Sequence, residues 1–187
     1  MQTLYLIRHT QPNISTGICY GQLNMGVGNS FEEEAANVQN WLPPLDLIIT
    51  SPLLRTRKLA DFLAQTATRK LETANCKPAT DVRLMEKHFG AWEGCAWDQI
   101  ERNEIDAWAA DIMGYAPTGG ESAHQVMLRV EEFLRDLAQL PQRNIALVAH
   151  GGTIRAILAQ LAKVPMTDTL RWQIDYGAVI SVQQNRV

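Results

Sequence analysis

Cysteine is scarce in this 187-residue chain: Cys19, Cys76 and Cys95 are odd in number and show no CxxC or other metal-like spacing. They predict neither a disulfide framework nor a thiolate cage, and they fit a cytoplasmic address with reduced thiols. His9, His88, His124 and His150 form no HxxxH or HExxH pair, so no metal and no cofactor are expected. No apolar run is long enough to span a bilayer. Basic charge is also short, with 17 Lys and Arg against 20 Asp and Glu for a net charge of −3. That balance excludes a broad electrostatic footprint for nucleic acid or an anionic membrane, and any anion site must be local. Internal repeats, low-complexity tracts and flexible linkers are missing. Met1 leads into the first apolar run too soon to leave room for a signal peptide. At 46% hydrophobic and 20% charged, the chain is expected to form one domain over residues 1–187.

Strand ends carry the chemistry that is present. Leu4 to Ile7 reads as a short buried strand that breaks into Arg8, His9, Thr10, Gln11 and Pro12. Asn144 to Ala149 repeats the pattern and ends in His150, followed by Gly151 and Gly152. Ligands of open α/β sheets bind at the carboxyl ends of strands, so both imidazoles fall where a ligand would lie. The glycines permit a tight turn into a helix expected from Thr153 to Ala162, whose exposed N–H groups favour an anion. Between these strands, Asp46 to Leu63 predicts a strand, a Ser-Pro helix start at Ser51, and Arg55 one turn on, with the helix running from Leu53 to Ala67. Arg8, His9, Arg55 and His150 thus come from three strand ends, as a phosphoryl site with a central nucleophile requires.

The remaining elements follow from periodicity. Ser30 and Glu33 read as a capping box before a helix over Phe31 to Leu42, which Pro43 and Pro44 end. Thr68 to Pro78 is polar and reads as a surface connection. Asp81 to Met85 reads as a strand ending at Glu86, whose carboxylate is expected among the aromatics of KHFGAWEG, with Glu93 as a competing acid. Trp97 and Trp108, interleaved with acidic residues, suggest a helical excursion over about 95–120 near the site, with the tryptophans as core. Ser122 is expected to cap a helix reaching Leu140, with Val126, Val130, Phe133, Leu134 and Leu137 inward. Ala178 to Val182 reads as a last strand. Alternating strands and helices predict a three-layer α/β/α sandwich with a mostly parallel central sheet.

Taken together, RHT at Arg8 to Thr10, SPLLRT at Ser51 to Thr56, LMEKHFGAWEG at Leu84 to Gly94, GGES at Gly119 to Ser122 and VAHGGTIR at Val148 to Arg155 resemble the histidine phosphatase, or phosphoglycerate-mutase-like, superfamily. The matches run in the family's order over nearly the whole chain. Within it, Thr10 to Gln22 most resembles the α-ribazole-5′-phosphate phosphatases of cobalamin nucleotide-loop assembly.

The resemblance implies a metal-independent phosphomonoesterase in which His9 attacks phosphorus to form a phosphohistidine. Arg8, Arg55 and His150 would hold the equatorial oxygens, and Glu86, at the family's proton-donor position, would protonate the leaving group. Thr10, Asn13, Tyr20, Gln22 and Gly151 are candidate substrate contacts. Thr10 and Gln11 replace the family's usual glycine and glutamate, and Asn13 follows His9 at a shorter spacing than the common pattern. The expected partner is a small phosphorylated metabolite, with no nucleic acid and no membrane. Other readings are a broad sugar or nucleotide phosphatase, a phosphoglycerate mutase, and a catalytically silent phosphate-binding protein. A mutase needs a longer lid and more local cations than this chain offers. A silent binder needs neither nucleophile nor acid.

Overall fold

The computed structural model describes residues 1–71 and 77–185, with backbone alone for 66–71. Five strands form one sheet: β1 (Gln2–Arg8), β2 (Leu47–Thr50), β3 (Ala79–Thr80), β4 (Asn144–Ala149) and β5 (Val179–Gln184), in the order β3-β2-β4-β1-β5. All neighbours pair in parallel except β5, which runs antiparallel to β1. The mostly parallel sheet expected from the pattern is therefore present. Its central strands are covered on both faces and read as unbroken apolar runs for that reason.

Side-chain alternation divides the core into two layers. Leu4, Leu6, Ile145 and Leu147 face α4 (Ala123–Leu137) and α5 (Gly151–Ala162), meeting Val130, Phe133, Ile154 and Ile157. Ile7, Ile48, Ala146 and Val148 face α1 (Phe31–Asn40) and α2 (Leu54–Leu71), meeting Ala35, Val38, Leu59 and Leu63. The five positions expected on the inward face of α4 are all buried. Ser122 caps α4 through a full capping box with Gln125.

Several boundaries differ from the sequence reading, each for a local reason. Ser30 makes no capping bond to the α1 backbone; its hydroxyl goes to the Glu34 carboxylate, so the expected capping box does not form. Asp81 to Met85 is not a strand. Asp81 accepts from Arg83 N at 2.8 Å and caps a 3₁₀ turn over Val82–Leu84, so β3 stops at Thr80. Helix α5 begins at Gly151, two residues before Thr153, and α2 reaches Leu71 rather than Ala67. Part of the expected 68–78 connection, including Cys76, lies outside the described residues.

After β3 the chain leaves the sheet. Phe89, Trp92, Trp97, Ile100, Trp108 and Tyr115 build a satellite cluster around Cys19, supported by helix α3 (Arg102–Ala110). Trp92 and Trp97 meet edge to face, and Trp97 stacks on Trp108 at 5.9 Å between centroids. The tryptophans are packing residues of this annex, which borders the site described next. Cys19 and Cys95 are free thiols, and burial pushes the Cys19 thiol up to about 12. Among the described residues no helix is long and apolar enough to cross a membrane.

Candidate active site

Parallel pairing of β1 with β4 sets the site's geometry. Arg8 pairs with Ala149, so the next residue on each strand is a histidine at the same sheet edge. The rings of His9 and His150 lie 5.1 Å apart between centroids. His9 is 1% exposed, and its Nδ1 is 2.7 Å from the Thr10 carbonyl oxygen. A carbonyl only accepts, so Nδ1 carries the proton and Nε2 bears the lone pair. Arg55 Nε donates to that lone pair at 3.3 Å. Burial, then the Arg55 and Arg8 charges, lower the His9 pKa from 6.5 to about 3, against the raising effect of the Thr10 bond. At neutral pH His9 is an uncharged imidazole with its nucleophilic nitrogen directed at a guanidinium.

Arg55 is itself fully buried, in the first turn of α2. Its Nη1 donates to Leu23 O at 2.8 Å and its Nη2 to Gly21 O at 2.7 Å, so the loop after β1 holds it. Nη2 also lies 3.2 Å from His150 Nδ1, and His150 Nε2 lies 2.9 Å from Ser51 Oγ. Arginine only donates, so His150 accepts at Nδ1 and donates from Nε2 to Ser51. Burial, followed by the charges of His9 and Arg55, holds His150 well below its ordinary pKa. His150 therefore offers the cluster a second neutral ring.

Arg8 completes the ring of cations. Its Nη1 donates to Ile174 O at 2.6 Å, and its guanidinium lies 3.9 Å over the Tyr176 ring. A Cβ at Gly151 would meet Arg155 Nη1 at 3.3 Å and Arg8 Cζ at 3.6 Å, so both guanidinium groups crowd the first turn of α5. Among the described residues, the ion pairs formed are those of Arg83, Arg102, Arg129 and Arg135; Arg8, Arg55 and Arg155 take part in none of them. Arg55 is buried and Arg8 and Arg155 half-buried, so a group of cations outside any ion pair favours an anion at this edge. Arg8 Nε and Thr10 Oγ1 are also buried without partners, each at a cost of about 1–3 kcal/mol that a ligand would relieve.

Glu86 lies at the same edge although its segment is a turn. Its Oε1 accepts from Lys87 N and its Oε2 from Gly152 N, both at 2.9 Å. The carboxylate is half-buried between these backbone donors, and Phe89 of the KHFGAWEG loop lines the same cavity as Glu86. Gln22 donates its side-chain amide to Glu86 O at 2.9 Å, and its backbone N–H donates to Glu93 Oε1 at 2.8 Å. Glu93 Oε1 also takes Phe89 N at 2.9 Å, so Glu93 ties two loops together beside Glu86. Glu121 is ion-paired to Arg129 at 2.8 Å and accepts from His88 N.

Tyr20 and Tyr176 close the opposite side through a bond between their hydroxyls. Burial and this bond hold the Tyr20 phenol above its ordinary value. The Tyr176 ring lies 5.5 Å from His9, between centroids. Asn13 is exposed, and its backbone N–H donates to Gly26 O at 3.0 Å. The structure thus gathers Arg8, His9, Thr10, Arg55, Glu86, His150 and Gly151, with Tyr20 at the rim and Gln22 beneath Glu86.

Sequence reasoning assigned no site position to Tyr176, Ser51 or Arg155. Tyr176 comes from the turn before β5 and carries no periodic signal. Ser51 and Arg155 lie inside the SPLLRT and VAHGGTIR motifs, where a signal did exist. A cavity of about 340 Å³ adjoins the cluster at Glu86, Gly152 and Arg155, and its other walls include Phe89, Trp108, Met113, Val126, Met166 and Leu170. Helix α3 and the residues that follow it supply part of that wall. Among the described residues, no group of three His, Cys, Asp or Glu side chains converges as a metal cage.

The family model for the histidine phosphatase superfamily (branch 1) matches residues 4–186. A glucosyl-3-phosphoglycerate phosphatase from Mycobacterium tuberculosis is 33% identical over 181 residues, covering 88% of this chain and 77% of that protein. The native structure of the mycobacterial glucosyl-3-phosphoglycerate phosphatase superposes with a TM-score of 0.80 at 26% identity, over 98% of this chain and 90% of that one. A candidate alpha-ribazole-5′-P phosphatase from Escherichia coli superposes with a TM-score of 0.84 at 26% identity, over 98% of this chain and 91% of that one.

Proposed function

Because the chain belongs to the histidine phosphatase superfamily and is a phosphomonoester hydrolase, we propose that it works through a phosphohistidine on His9. One observation carries this reading. The Nδ1–H of His9 is committed to the Thr10 carbonyl, which leaves Nε2 as the free base among Arg8, Arg55 and His150. A dianionic phosphoryl group entering that ring would take the Arg55 N–H now directed at Nε2, exposing the lone pair to phosphorus. Arg8 Nε and Thr10 Oγ1 would gain their missing partner in the same step. Guanidinium forks and the N-terminal N–H groups of α5 then follow the charge onto the equatorial oxygens.

Glu86 would give a proton to the departing alkoxide and, as carboxylate, take one from the water that hydrolyses the phosphohistidine. His150 would receive a proton at Nδ1 only while the phosphoryl charge is present, because burial opposes the imidazolium otherwise. No step calls for a metal.

For the substrate we favour α-ribazole 5′-phosphate in cobalamin nucleotide-loop assembly, at a cytoplasmic address. The loop resemblance over Thr10 to Gln22 and the likeness to the Escherichia coli structure support it. The relatives named for glucosyl-3-phosphoglycerate support a sugar-acid phosphate as the alternative. The whole chain would act as one catalytic domain, with the 95–120 segment as its wall toward the leaving group.

The test is kcat/KM for α-ribazole 5′-phosphate against nucleotide, sugar and glycerate phosphates in EDTA, with alkaline quenching and mass spectrometry of the His9 peptide. A phosphoryl adduct lost in His9→Ala, with turnover, is the expected result. Turnover that survives His9→Ala refutes the nucleophile, and a flat substrate profile refutes the α-ribazole assignment alone.

A further inference from the structure

We infer that the ion pair between Arg129 and Glu121 is a positioning device for the proton donor: it fastens the turn from Arg83 to His88 to α4 and so sets where Glu86 stands. This rests on the role given to Glu86 above. The GGES motif, to which the phosphoryl cluster assigns no part, supplies one half of the pair.

The turn that carries Glu86 lies outside the sheet, because β3 stops at Thr80. Its carbonyls are met by groups from elsewhere in the chain. Arg129 Nη1 donates to Arg83 O at 2.6 Å and Nη2 to Glu86 O at 3.2 Å. The same guanidinium grips Glu121 with its fork, Nε to Oε1 at 2.8 Å and Nη2 to Oε2 at 3.1 Å. Glu121 Oε2 in turn accepts from His88 N at 3.0 Å, and Glu121 N donates to His88 O at 2.8 Å. One pair thus holds the backbone on both sides of Glu86. Thr153 Oγ1 donates to Met85 O at 2.7 Å and Gln22 shares Glu86 O, but each meets this turn at a single carbonyl.

The surroundings favour a fixed geometry. The side chains of Arg129 and Glu121 are 16% and 20% exposed, and a planar fork against a carboxylate sets an angle as well as a distance. Burial raises the Glu121 carboxyl, but the bonds from Arg129 and His88 N prevail and hold it below its ordinary value, so the pair is intact at neutral pH. The two glycines before Glu121 permit the approach: Gly119 has a φ of 73°, and a Cβ at Gly120 would come within 2.6 Å of His88 O. The Glu86 carboxylate depends on this placement, since its Oε2 must reach Gly152 N at 2.9 Å on a different helix. Core packing of α4 runs instead through Val126, Val130, Phe133, Leu134 and Leu137, so loss of Arg129 leaves that face intact.

Two measurements test this, one of them independent of turnover. With an alkyl phosphate and p-nitrophenyl phosphate as substrates, Arg129→Met should lower kcat for the alkyl ester about 10- to 100-fold and leave the other within about threefold. In a Glu86→Gln background the same substitution should cost nothing further on the alkyl ester. Arg129→Lys keeps the charge but not the fork; it should show the same split, and it serves if Arg129→Met does not fold. Equal losses on both esters in a folded variant, full losses on top of Glu86→Gln, or undiminished alkyl turnover overturn the inference. The second readout is the Gly152 amide in proton–nitrogen NMR spectra. It should move as pH carries Glu86 through its titration, an effect absent in Glu86→Gln and weakened in Arg129→Lys. A Gly152 amide that follows pH equally in Arg129→Lys and wild type overturns the positioning role. Turnover that survives His9→Ala refutes the phosphohistidine reading instead, and the Gly152 readout then decides the placement of Glu86 by itself.

Discussion

Gly152→Ala separates the position of Glu86 from the stability of the fold. Gly152 lies in the first turn of α5 and does not have positive φ, so alanine suits its backbone. On helix propensity alone the change would stabilise by up to about 1 kcal/mol. A Cβ at this position, however, would overlap Glu86 Oε1 and lie 3.1 Å from its Cδ. The carboxylate is the free end of a flexible side chain, so it must retreat by about 1 Å to reach van der Waals separation, breaking its 2.9 Å bond to Gly152 N. Misplacement on that scale costs about 10²-fold in rate where proton transfer is needed. Gly152→Ala should therefore match Glu86→Gln: kcat for an alkyl phosphate falls about 10²-fold, kcat for p-nitrophenyl phosphate falls little, and Tm stays level or rises. The assay is steady-state kinetics on both esters beside a thermal melt. Undiminished alkyl phosphate turnover, or equal losses on both esters, would refute Glu86 as the acid placed by Gly152.

The depressed pKa of His9 gives stability a direction with pH. The unfolded chain binds the extra proton between pH 6.5 and about 3 and the folded chain does not, so unfolding free energy should fall as pH drops through that window, by up to roughly 4–5 kcal/mol from His9, with His150 acting in the same sense. Urea titrations from pH 7 to 4 should show a shallower fall in His9→Asn, and parallel slopes would contradict the assigned cause. Tyr176→Ala removes the ring under Arg8 and should raise KM about tenfold for every ester, whereas Tyr176→Phe keeps the ring and should stay within about threefold; the reverse ranking would make the Tyr20 bond the important contact. Activity should persist after exhaustive dialysis against EDTA, and complete loss rescued by zinc or magnesium would overturn the mechanism.

Local pattern accounts for most of what was legible in advance. β1 and β4 are buried on both faces, so each appears as an apolar run, and the abrupt polar break marks the sheet edge where His9 and His150 stand. The inward face of α4 and its Ser122 cap are likewise short-range information. The misreadings arose where a polar side chain chose between neighbouring partners. Asp81 bonded Arg83 and turned the chain, and Ser30 bonded Glu34 rather than the helix backbone.

By itself, the sequence determined the strand-end chemistry, the helical periodicities and the motif order that identify a histidine phosphatase. Only the tertiary structure decided which nitrogen of His9 is free, that Tyr176 lies beneath Arg8, that Gly152 sets the place of Glu86, and that Trp108 of α3 joins Phe89 in lining a pocket beside it. Those facts depend on the register between β1 and β4 and on loops folded against one another. Register is a non-local property, set by the packing of both sheet faces, and no window of sequence contains it.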